Sequence, residues 1–314
     1  MATSQTIVDR SRAVTQRGGV RSRTAGRFQP AVVAAYVALI AGAALMIFPF
    51  FWMLVTSFKS LAEINISPPT VFPQEWHPEN YIRAWTKAPS TFSRYFVNSA
   101  VIAVAGATLQ LLTSILAAYA FAMREFPGKR VLFILFLATL MIPFEVTLIP
   151  NFVTIRHFPL VGGNDLLGNG GKGLYDSYPG MFLPGAASGF SVFLLRQAFL
   201  TVPRDYWEAA QLDGCSRLRY LWRILVPLAS PAITTVGLFA LLNRFNALLW
   251  PLIVTGSEKL RPAQVGIYYF RNGESSYLNL VMAASAFVML PGIVLYALAQ
   301  RRFVEGLATT GVKG

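Results

Sequence analysis

The chain has 314 residues, of which 54% are hydrophobic and only 13% charged, and its formal net charge is +13. Soluble domains carry about 25% charged residues, so the polar residues are too few to cover a water-soluble fold. The composition therefore predicts an integral membrane protein and excludes a disordered chain. Because Cys215 is the single cysteine and His77 and His157 are the only histidines, a disulfide scaffold and a zinc site are excluded too.

Six apolar stretches are long enough to cross the hydrocarbon core as helices, which takes about 20 residues. They lie near 31–58, 95–123, 131–155, 174–195, 227–255 and 277–300. The fourth is interrupted by Pro179, Pro184, Gly185 and Gly189, and in lipid such breaks persist only where neighbouring helices or water satisfy the freed backbone groups. We predict an all-α membrane protein of six transmembrane helices, with the fourth packed inside the bundle.

Residues 1–27 are polar and rich in arginine. They offer little apolar surface to bury, so we predict a disordered basic tail. A signal peptide is the competing interpretation of the N-terminus, but the following apolar stretch exceeds an h-region of about 7–15 residues and no clear cleavage site ends it. The rest of the chain, 28–314, is predicted to be one transmembrane domain.

Lysine and arginine are distributed unevenly between the two sides of the predicted bundle. If the N-terminus is inside, six spans also place the C-terminus inside, and most of the cations then fall in inner segments. This bias predicts cytoplasmic N- and C-termini in the cell membrane. A nucleic-acid binder would cluster its positive charge on a soluble face with a recognisable module, and we expect no nucleic-acid partner.

The inner loop 196–226, between the fourth and fifth spans, reads PRDYWEAAQLDG over 203–214 and continues CSRLRYLWRILV. Pro203 suits a first helical turn, Gly214 a left-handed stop, and Ser216 the N-cap of a second helix. The pattern predicts a short helix, a turn and a helix that leads into the fifth span. On composition, a helix lying on lipid headgroups and a helix docking on another protein fit it equally.

A resemblance to a known family favours the docking helix. The residues that carry it are Glu208-Ala209-Ala210, Gly214, Ile224 and Val226-Pro227. They resemble the EAA signature of ABC importer permeases, in which the final dipeptide is usually Leu-Pro. The resemblance implies a type I ABC importer permease fold, and a coupling helix that docks into an ATPase subunit. The coupling residues it implies are Glu208, Ala209, Ala210, Asp213 and Gly214.

Three further segments are similar to carbohydrate-uptake permeases. Residues 141–150, MIPFEVTLIP, resemble their third span, and Asn246 with Trp250-Pro251-Leu252 resembles their fifth, although Phe245 stands where the family usually has Trp. Residues 300–314 resemble the end of the maltose-transporter-type second permease subunit. The four matches follow the order of that family over about 95–314.

The resemblance implies several partners, and it implies that ATP is hydrolysed by a partner and not by this chain. The partners are a second homologous permease, an ABC ATPase dimer, an extracytoplasmic solute-binding protein and the lipid bilayer. The chain has no G-x-x-x-x-G-K-[ST] phosphate loop, so we expect it to be no enzyme and to bind no cofactor, with ATP and Mg²⁺ used by the ATPase. The outer loop 256–276 would contact the docked binding protein, or it is an ordinary connection.

Glu145 and Arg244 are the ionisable residues well inside the predicted spans, where a charge costs about 2.5–3.5 kcal/mol. Either they line the solute path, or they satisfy each other or a backbone carbonyl at a helix break. Asn243 and Asn246 flank Arg244, and amides beside an aromatic suit a sugar, so Asn246, Arg244, Asn243 and Glu145 are the solute-path candidates.

Three functions compete at this stage. The resemblance favours a sugar permease that works by alternating access, and a glycerol phosphate or polyol permease stays open. A stand-alone channel is a different class, and it would work without an ATPase. An intramembrane enzyme would need a nucleophile elbow or a metal pair, and neither G-x-S-x-G nor H-E-x-x-H occurs in the sequence.

Overall fold

The computed structural model describes residues 30–86, 92–272 and 277–311, without the side chains of 272 and 298–311. The predicted tail 1–27 lies outside the described residues, so its disorder stays a prediction. The contacts divide the chain into two units, Met1–Trp52 and Met53–Gly314. In the described part of the chain the regular structure is helical, as the apolar runs predict.

The first helix, α1, spans Pro30–Ser57, and its residues up to Trp52 form the described part of the first unit. It contains no charged residue and tolerates Pro49 in its interior. Neighbouring turns of this helix bring Phe48 and Trp52 together, with ring centroids 6.0 Å apart. Its length and hydropathy are those of a membrane span.

The second unit contains the remaining helices. In chain order they are α2 Leu61–Ile64, α3 Glu79–Thr86, α4 Phe92–Met123, α5 Lys129–Ala138, α6 Phe144–Arg156, α7 Tyr178–Phe182, α8 Gly189–Leu200, α9 Asp205–Leu212, α10 Arg217–Tyr220, α11 Val226–Leu228, α12 Ser230–Phe245, α13 Leu249–Val254, α14 Ala263–Asn272 and α15 Leu278–Gly311. Short 3₁₀ turns at 139–141, 183–185 and 258–260 and a π-helical turn at 221–225 join some of them.

Three described helices are long and apolar enough to cross a membrane, namely Pro30–Ser57, Phe92–Met123 and Leu278–Ala297. Three bent pairs of helices pass the same test together. They are Lys129–Met141 with Phe144–Arg156 at 103°, Tyr178–Gly185 with Gly189–Leu200 at 53°, and Arg217–Leu228 with Ser230–Phe245 at 85°. The described chain therefore has six spans if each bent pair is one span, which agrees with the predicted fold class.

The bends occur where proline or a cap stops the helical hydrogen bonds. Pro143 precedes α6 at the bend of the third span. In the fourth span, Pro184 lies in the 3₁₀ turn and Ser188 caps α8, with its hydroxyl accepting from the Ser191 amide at 3.3 Å. Since proline lacks the amide donor that a continuous helix needs, these stretches divide, and the predicted break in the fourth span is present.

The span limits differ from the sequence prediction at two places. The stretch 227–255 is divided, because α12 ends at Phe245 and a new helix begins at Leu249; Pro251 fits the first turn of that helix, where no amide donor is required. The fourth stretch begins later and ends later than 174–195, since Ser177 caps α7 and α8 continues to Leu200. The inner loop 196–226 therefore starts with one more turn of helix.

The long helix α4 is the centre of the second unit. It packs most extensively against α12 and α8. At one end, α4 and α8 bury Tyr119 and Phe199 in an apolar cluster that also includes Ala210 and Tyr220 of the predicted coupling loop. At the other end a second cluster joins the start of α4 to α3, α14 and α15. The segment 203–227, which we call the coupling segment after its predicted role, therefore packs against one end of the bundle.

Candidate coupling surface and helix-break site

The segment 203–214 forms the short helix that the sequence predicts. Pro203 precedes α9, whose first amides, those of Trp207 and Glu208, donate to the Arg204 carbonyl at 2.8 and 3.1 Å. Asp205 and Glu208 lie in the first turn, where negative charge is favourable. The helix ends at Leu212, and the amides of Asp213 and Gly214 donate back to Ala209 and Gln211 at 3.1 and 3.0 Å.

Gly214 makes the turn that reverses the chain after α9. Its φ is +67°, and a Cβ added there would meet nothing within 4 Å. Glycine is thus favoured by backbone conformation rather than by crowding, because this region strains other residues. The next amide, of Cys215, donates to the Ala210 carbonyl at 2.8 Å and closes the turn. Ser216 occupies the N-cap position of α10 without a side-chain capping bond.

One side of α9 holds it against the bundle. Ala210 is buried, and its methyl group belongs to the same apolar cluster as Phe199 and Tyr220. Trp207 packs edge-on against Tyr220 with ring centroids 4.9 Å apart. Of the predicted coupling residues, Ala210 therefore faces inward, and it can act on a partner only by positioning the helix.

The other side of α9 is exposed. Glu208, Ala209, Asp213 and Gly214 are all exposed in this chain. Leu212 is 90% exposed, which leaves a large apolar side chain at the tip of the segment. A concavity of about 580 Å³ adjoins it, lined by Trp207, Gln211, Gly214, Cys215, Ser216, Arg217 and Leu218. The exposed Leu212 and Glu208 lie on a helix whose opposite side packs against the bundle. Such a combination of apolar and charged side chains is suited to protein docking.

Arg244 lies at the break of the fourth span. Its Nη1 donates to the Phe182 carbonyl at 3.3 Å, and its Nη2 donates to the Gly185 carbonyl and to Gln110 Oε1, the latter at 3.2 Å. The carbonyls at the C-terminal end of α7, which have no partner within the helix, thus accept hydrogen bonds from a cation. The helix dipole favours positive charge at this end. Of the alternatives that the sequence left open, a backbone carbonyl at a helix break is the one that this geometry matches.

Two glycines make room for the Arg244 side chain. A Cβ on Gly106 would lie 2.5 Å from Nη1 and 2.8 Å from Cδ, and a Cβ on Gly185 would lie 2.8 Å from Nη2. All three distances are below normal van der Waals contact. Side chains at either position would therefore displace the guanidinium group from its carbonyl partners.

Sequence reasoning missed Gln110. Its amide bridges the break, because Oε1 accepts from Arg244 and Nε2 donates to Ser191 Oγ at 2.9 Å. Thr113, one turn further along α4, donates its hydroxyl to the Ala186 carbonyl. The signal in the sequence was that Gln110 and Thr113 lie three positions apart, and therefore on one side of the helix, in the uncharged span 95–123.

The side chains of the other solute-path candidates make no contact with the Arg244 side chain that the described residues show. Glu145 is exposed in the first turn of α6, so it does not neutralise Arg244. Asn243 is exposed, and Asn246 ends α12 with Oδ1 accepting from Gln264 Nε2 at 3.3 Å. Trp250 is buried, and its indole donates to the Gly180 carbonyl at 3.2 Å. A solute-path role of the four candidates stays a prediction.

The loop 256–276, which is predicted to lie outside, contains the helix α14 within its described part, so it is more than a plain connection. Gly266 of α14 packs against Tyr95, where an added Cβ would lie 2.5 Å from the ring. Tyr268 and Tyr269 remain partly exposed, and the Arg261 guanidinium lies 3.9 Å from the Tyr269 ring centre. The loop thus presents aromatic side chains from an ordered base.

Asp176, just before α7, ties the third-to-fourth connection to the segment after α13. Its Oδ1 accepts from the Gly256 amide and from the amide and hydroxyl of Ser257, each at 3.0 Å. Partial burial raises the pKa of Asp176, but the hydrogen bonds from Ser257 and Gly256 and the charge of Lys172 outweigh it, so the pKa lies below its ordinary value. The charged form is therefore the one that holds the two segments together.

We expect Asp176→Asn to lower the melting temperature of the purified protein by about 2–4 °C at pH 7, which corresponds to about 1 kcal/mol. A lowered carboxyl pKa contributes stability above the unfolded value of about 3.9, and that contribution is lost as pH falls through the folded pKa. The difference in melting temperature between wild type and Asp176→Asn should therefore become smaller below about pH 4.

The matched control is Asp165→Asn, since Asp165 accepts from the amides of Leu167 and Asn169 within its own turn. It should change the melting temperature less at pH 7. If Asp176→Asn lowers the melting temperature as much at pH 3 as at pH 7, the negative charge of Asp176 does not have the assigned stabilising role.

Apolar spans, a polar helix break inside the bundle and an anchored helix exposed at one end define a multi-pass membrane permease. Comparisons with known proteins agree with this class. Residues 110–308 match the family described as binding-protein-dependent transport system inner membrane component. The chain belongs to this family, and it is a non-catalytic transport subunit of the cytoplasmic membrane that works with a solute-binding protein.

Two relatives and one solved structure illustrate the similarity. The arabinooligosaccharides transport system permease protein AraQ of Bacillus subtilis is 31% identical over 86% of this chain and 92% of its own length. The sn-glycerol-3-phosphate transport system permease protein UgpE of Yersinia pestis is 31% identical over 87% and 94%. A chain of a bacterial ABC transporter involved in the import of alginate has the same fold, with a TM-score of 0.73 and 22% identity over 89% of this chain and all of that chain.

Proposed function

We propose that this chain is one of two permease subunits of an ATP-driven importer that moves a sugar into the cell. Two ATPase subunits would use ATP and Mg²⁺ on the cytoplasmic side of the membrane, and the solute-binding protein would deliver the sugar from outside. Transport would proceed by alternating access. ATP can drive it only by binding the two conformations with different affinity, because a ligand with equal affinity for both shifts no equilibrium.

The observation that carries this proposal is the shape of the segment 205–214. Ala210 and Trp207 attach α9 to the bundle, while Glu208, Ala209 and Leu212 are left exposed. Because Ala210 packs in the same apolar cluster as Phe199 of α8 and Val236 of α12, a force applied to the exposed side of α9 can reach both helices. A helix that only rested on lipid would need its apolar side toward the membrane, whereas here much of that side packs on protein.

The nature of the solute is supported by the relatives and by Arg244. AraQ is named for arabinooligosaccharides and UgpE for glycerol 3-phosphate. The terminal nitrogens of Arg244 already donate to two carbonyls and an amide oxygen, whereas its buried Nε has no hydrogen-bond partner among the described residues. A phosphate would have to compete with those three oxygens for the terminal nitrogens. That favours a neutral sugar, with glycerol phosphate or another polyol-like solute as the alternative.

The orientation we propose, with both termini and 203–227 inside, can be tested with the single native cysteine. Cys215 lies in the coupling segment and is a partly buried free thiol. A membrane-impermeant maleimide should label it in inverted vesicles and not in intact spheroplasts. Leu212→Cys in a Cys215→Ser background provides a fully accessible second probe, and labelling of that variant in spheroplasts would contradict the orientation.

The proposed function is tested by reconstituting the chain in liposomes with its second permease, ATPase and binding protein. Radiolabelled oligosaccharide should accumulate only when ATP is inside with the ATPase and the binding protein is outside. Uptake of glycerol 3-phosphate in place of sugar would favour the alternative solute. Solute flux through the chain alone, without ATPase, would show a stand-alone channel and contradict the importer.

A further inference from the structure

A second cavity lies at the same end of the bundle as the coupling segment. It has a volume of about 730 Å³ and is formed by the end of α4, the start of α5 and Arg196 of α8. Phe121 and Phe136 of these helices pack on the apolar cluster that also holds Ala210 and Tyr220. The cavity therefore lies at the level where three spans reach one membrane surface.

The wall of the cavity is apolar and its rim is basic. Apolar side chains supply most of the wall, namely Phe121, Phe126, Phe133, Ile134 and Leu137. Lys129, Arg130 and Arg196 supply three cations, and Glu125 supplies one carboxylate, 3.1 Å from the Lys129 ammonium. The lining is thus net positive, although Glu125 partly offsets Lys129.

Arg196 is fixed in place beside this cavity. Its Nε donates to the Phe121 carbonyl at 3.1 Å, and its Cζ lies 4.4 Å from the centre of the Phe133 ring. Within the described part of the chain, no hydrogen bond of its terminal nitrogens is recorded. A guanidinium held by its stem and its ring contact presents those nitrogens as a preformed anion receptor.

We propose that this cavity binds an anionic phospholipid. The headgroup phosphate would bind Lys129, Arg130 and Arg196, and an acyl chain would lie along Phe133, Ile134 and Leu137. Basic pockets between spans at a membrane surface recognise lipid headgroups in this way. The apolar wall is what distinguishes a lipid from a free phosphate, which would gain nothing from it. With the orientation under Proposed function, the lipid would belong to the cytoplasmic leaflet. The leaflet thus rests on that proposal, whereas the binding itself does not.

The test is native mass spectrometry of the assembled transporter, purified in detergent and mixed with equal amounts of phosphatidylglycerol and phosphatidylcholine. Phosphatidylglycerol should be retained preferentially. Lys129→Gln with Arg130→Gln should reduce its retention at least about tenfold, since each cation near a headgroup contributes about fivefold. Arg219→Gln with Arg223→Gln is the matched control, because it removes two exposed cations at the same end of the bundle and should leave retention unchanged.

Ile134→Trp tests the apolar wall without a change of charge, and it should reduce retention by narrowing the cavity. Equal retention of both lipids, or an equal loss in the control pair, would overturn the proposal. So would full competition by millimolar inorganic phosphate, which would mark a site for soluble anions. The readout is bound lipid mass, so a wrong solute or a failed uptake assay leaves this test intact.

Discussion

Replacing Glu208 with alanine should reduce ATP-driven solute uptake at least about tenfold, while the amount of protein in the membrane stays the same. Glu208 is exposed on α9 and belongs to the side that faces away from the bundle. Removing a charge from a docked interface costs about 2–5 kcal/mol, and 1.4 kcal/mol is tenfold. Folding should be spared because no described contact within this chain depends on the carboxylate.

Glu208→Gln separates charge from shape, and it should behave like the alanine variant if the carboxylate pairs with a cation of the ATPase. Glu75→Ala is the control, since it also removes an exposed carboxylate, in the segment between α2 and α3. The measurements are uptake, ATPase stimulation by loaded binding protein, and membrane level by immunoblot. Normal uptake by Glu208→Ala would refute a coupling role for this residue.

Replacing Gly106 with alanine should destabilise the helix break and lower uptake several-fold. The new Cβ would meet the Arg244 guanidinium at 2.5 Å, so the arginine must leave the carbonyls of Phe182 and Gly185. Each buried acceptor left without a donor costs about 1–3 kcal/mol. Arg244→Met should have the same effect, because it removes the guanidinium donors and leaves a shorter, uncharged side chain in their place.

The control for this prediction is Gly237→Ala in α12. A Cβ there would lie 3.5 Å from Leu111, an ordinary contact, and alanine is the better helix former, so stability should be unchanged or slightly higher. The melting temperature of the purified complex and the solute preference are both measured. A stable Arg244→Met variant with altered solute preference would place Arg244 in the solute path and contradict the positioning role.

The predictions for Glu208 and for Gly106 concern two regions, the coupling segment and the helix break, that α8 and α12 connect. α8 leads from the helix break at 183–188 to the coupling segment, and α12 returns from that segment to Arg244. Both ends of this path meet at the break, since Arg244 binds its carbonyls. We therefore expect Gly106→Ala to weaken the stimulation of ATPase activity by the binding protein as well as uptake. If the binding protein stimulates ATPase activity equally in wild type and in Gly106→Ala, the helix break does not transmit conformational change between the two regions.

Much of the candidate site could be predicted from local sequence. Pro203 and Gly214 bracket α9 in the sequence and in the structure, because the conformational limits of these residues act within one turn. The break at Pro184 was predictable for the same reason. That Ala210 packs inward was not, since it depends on Tyr220 and Phe199 of neighbouring helices.

The sequence by itself determined that the chain crosses a membrane, the approximate positions of its spans, the break in the fourth span, and which segment forms the exposed helix, because apolar length, proline and glycine act over a few residues. Only the tertiary structure decided what Arg244 binds. Its partners Phe182, Gly185 and Gln110 are 62, 59 and 134 positions away in the chain. A buried cation binds whichever oxygens the packed helices bring to it, and no local pattern encodes that choice.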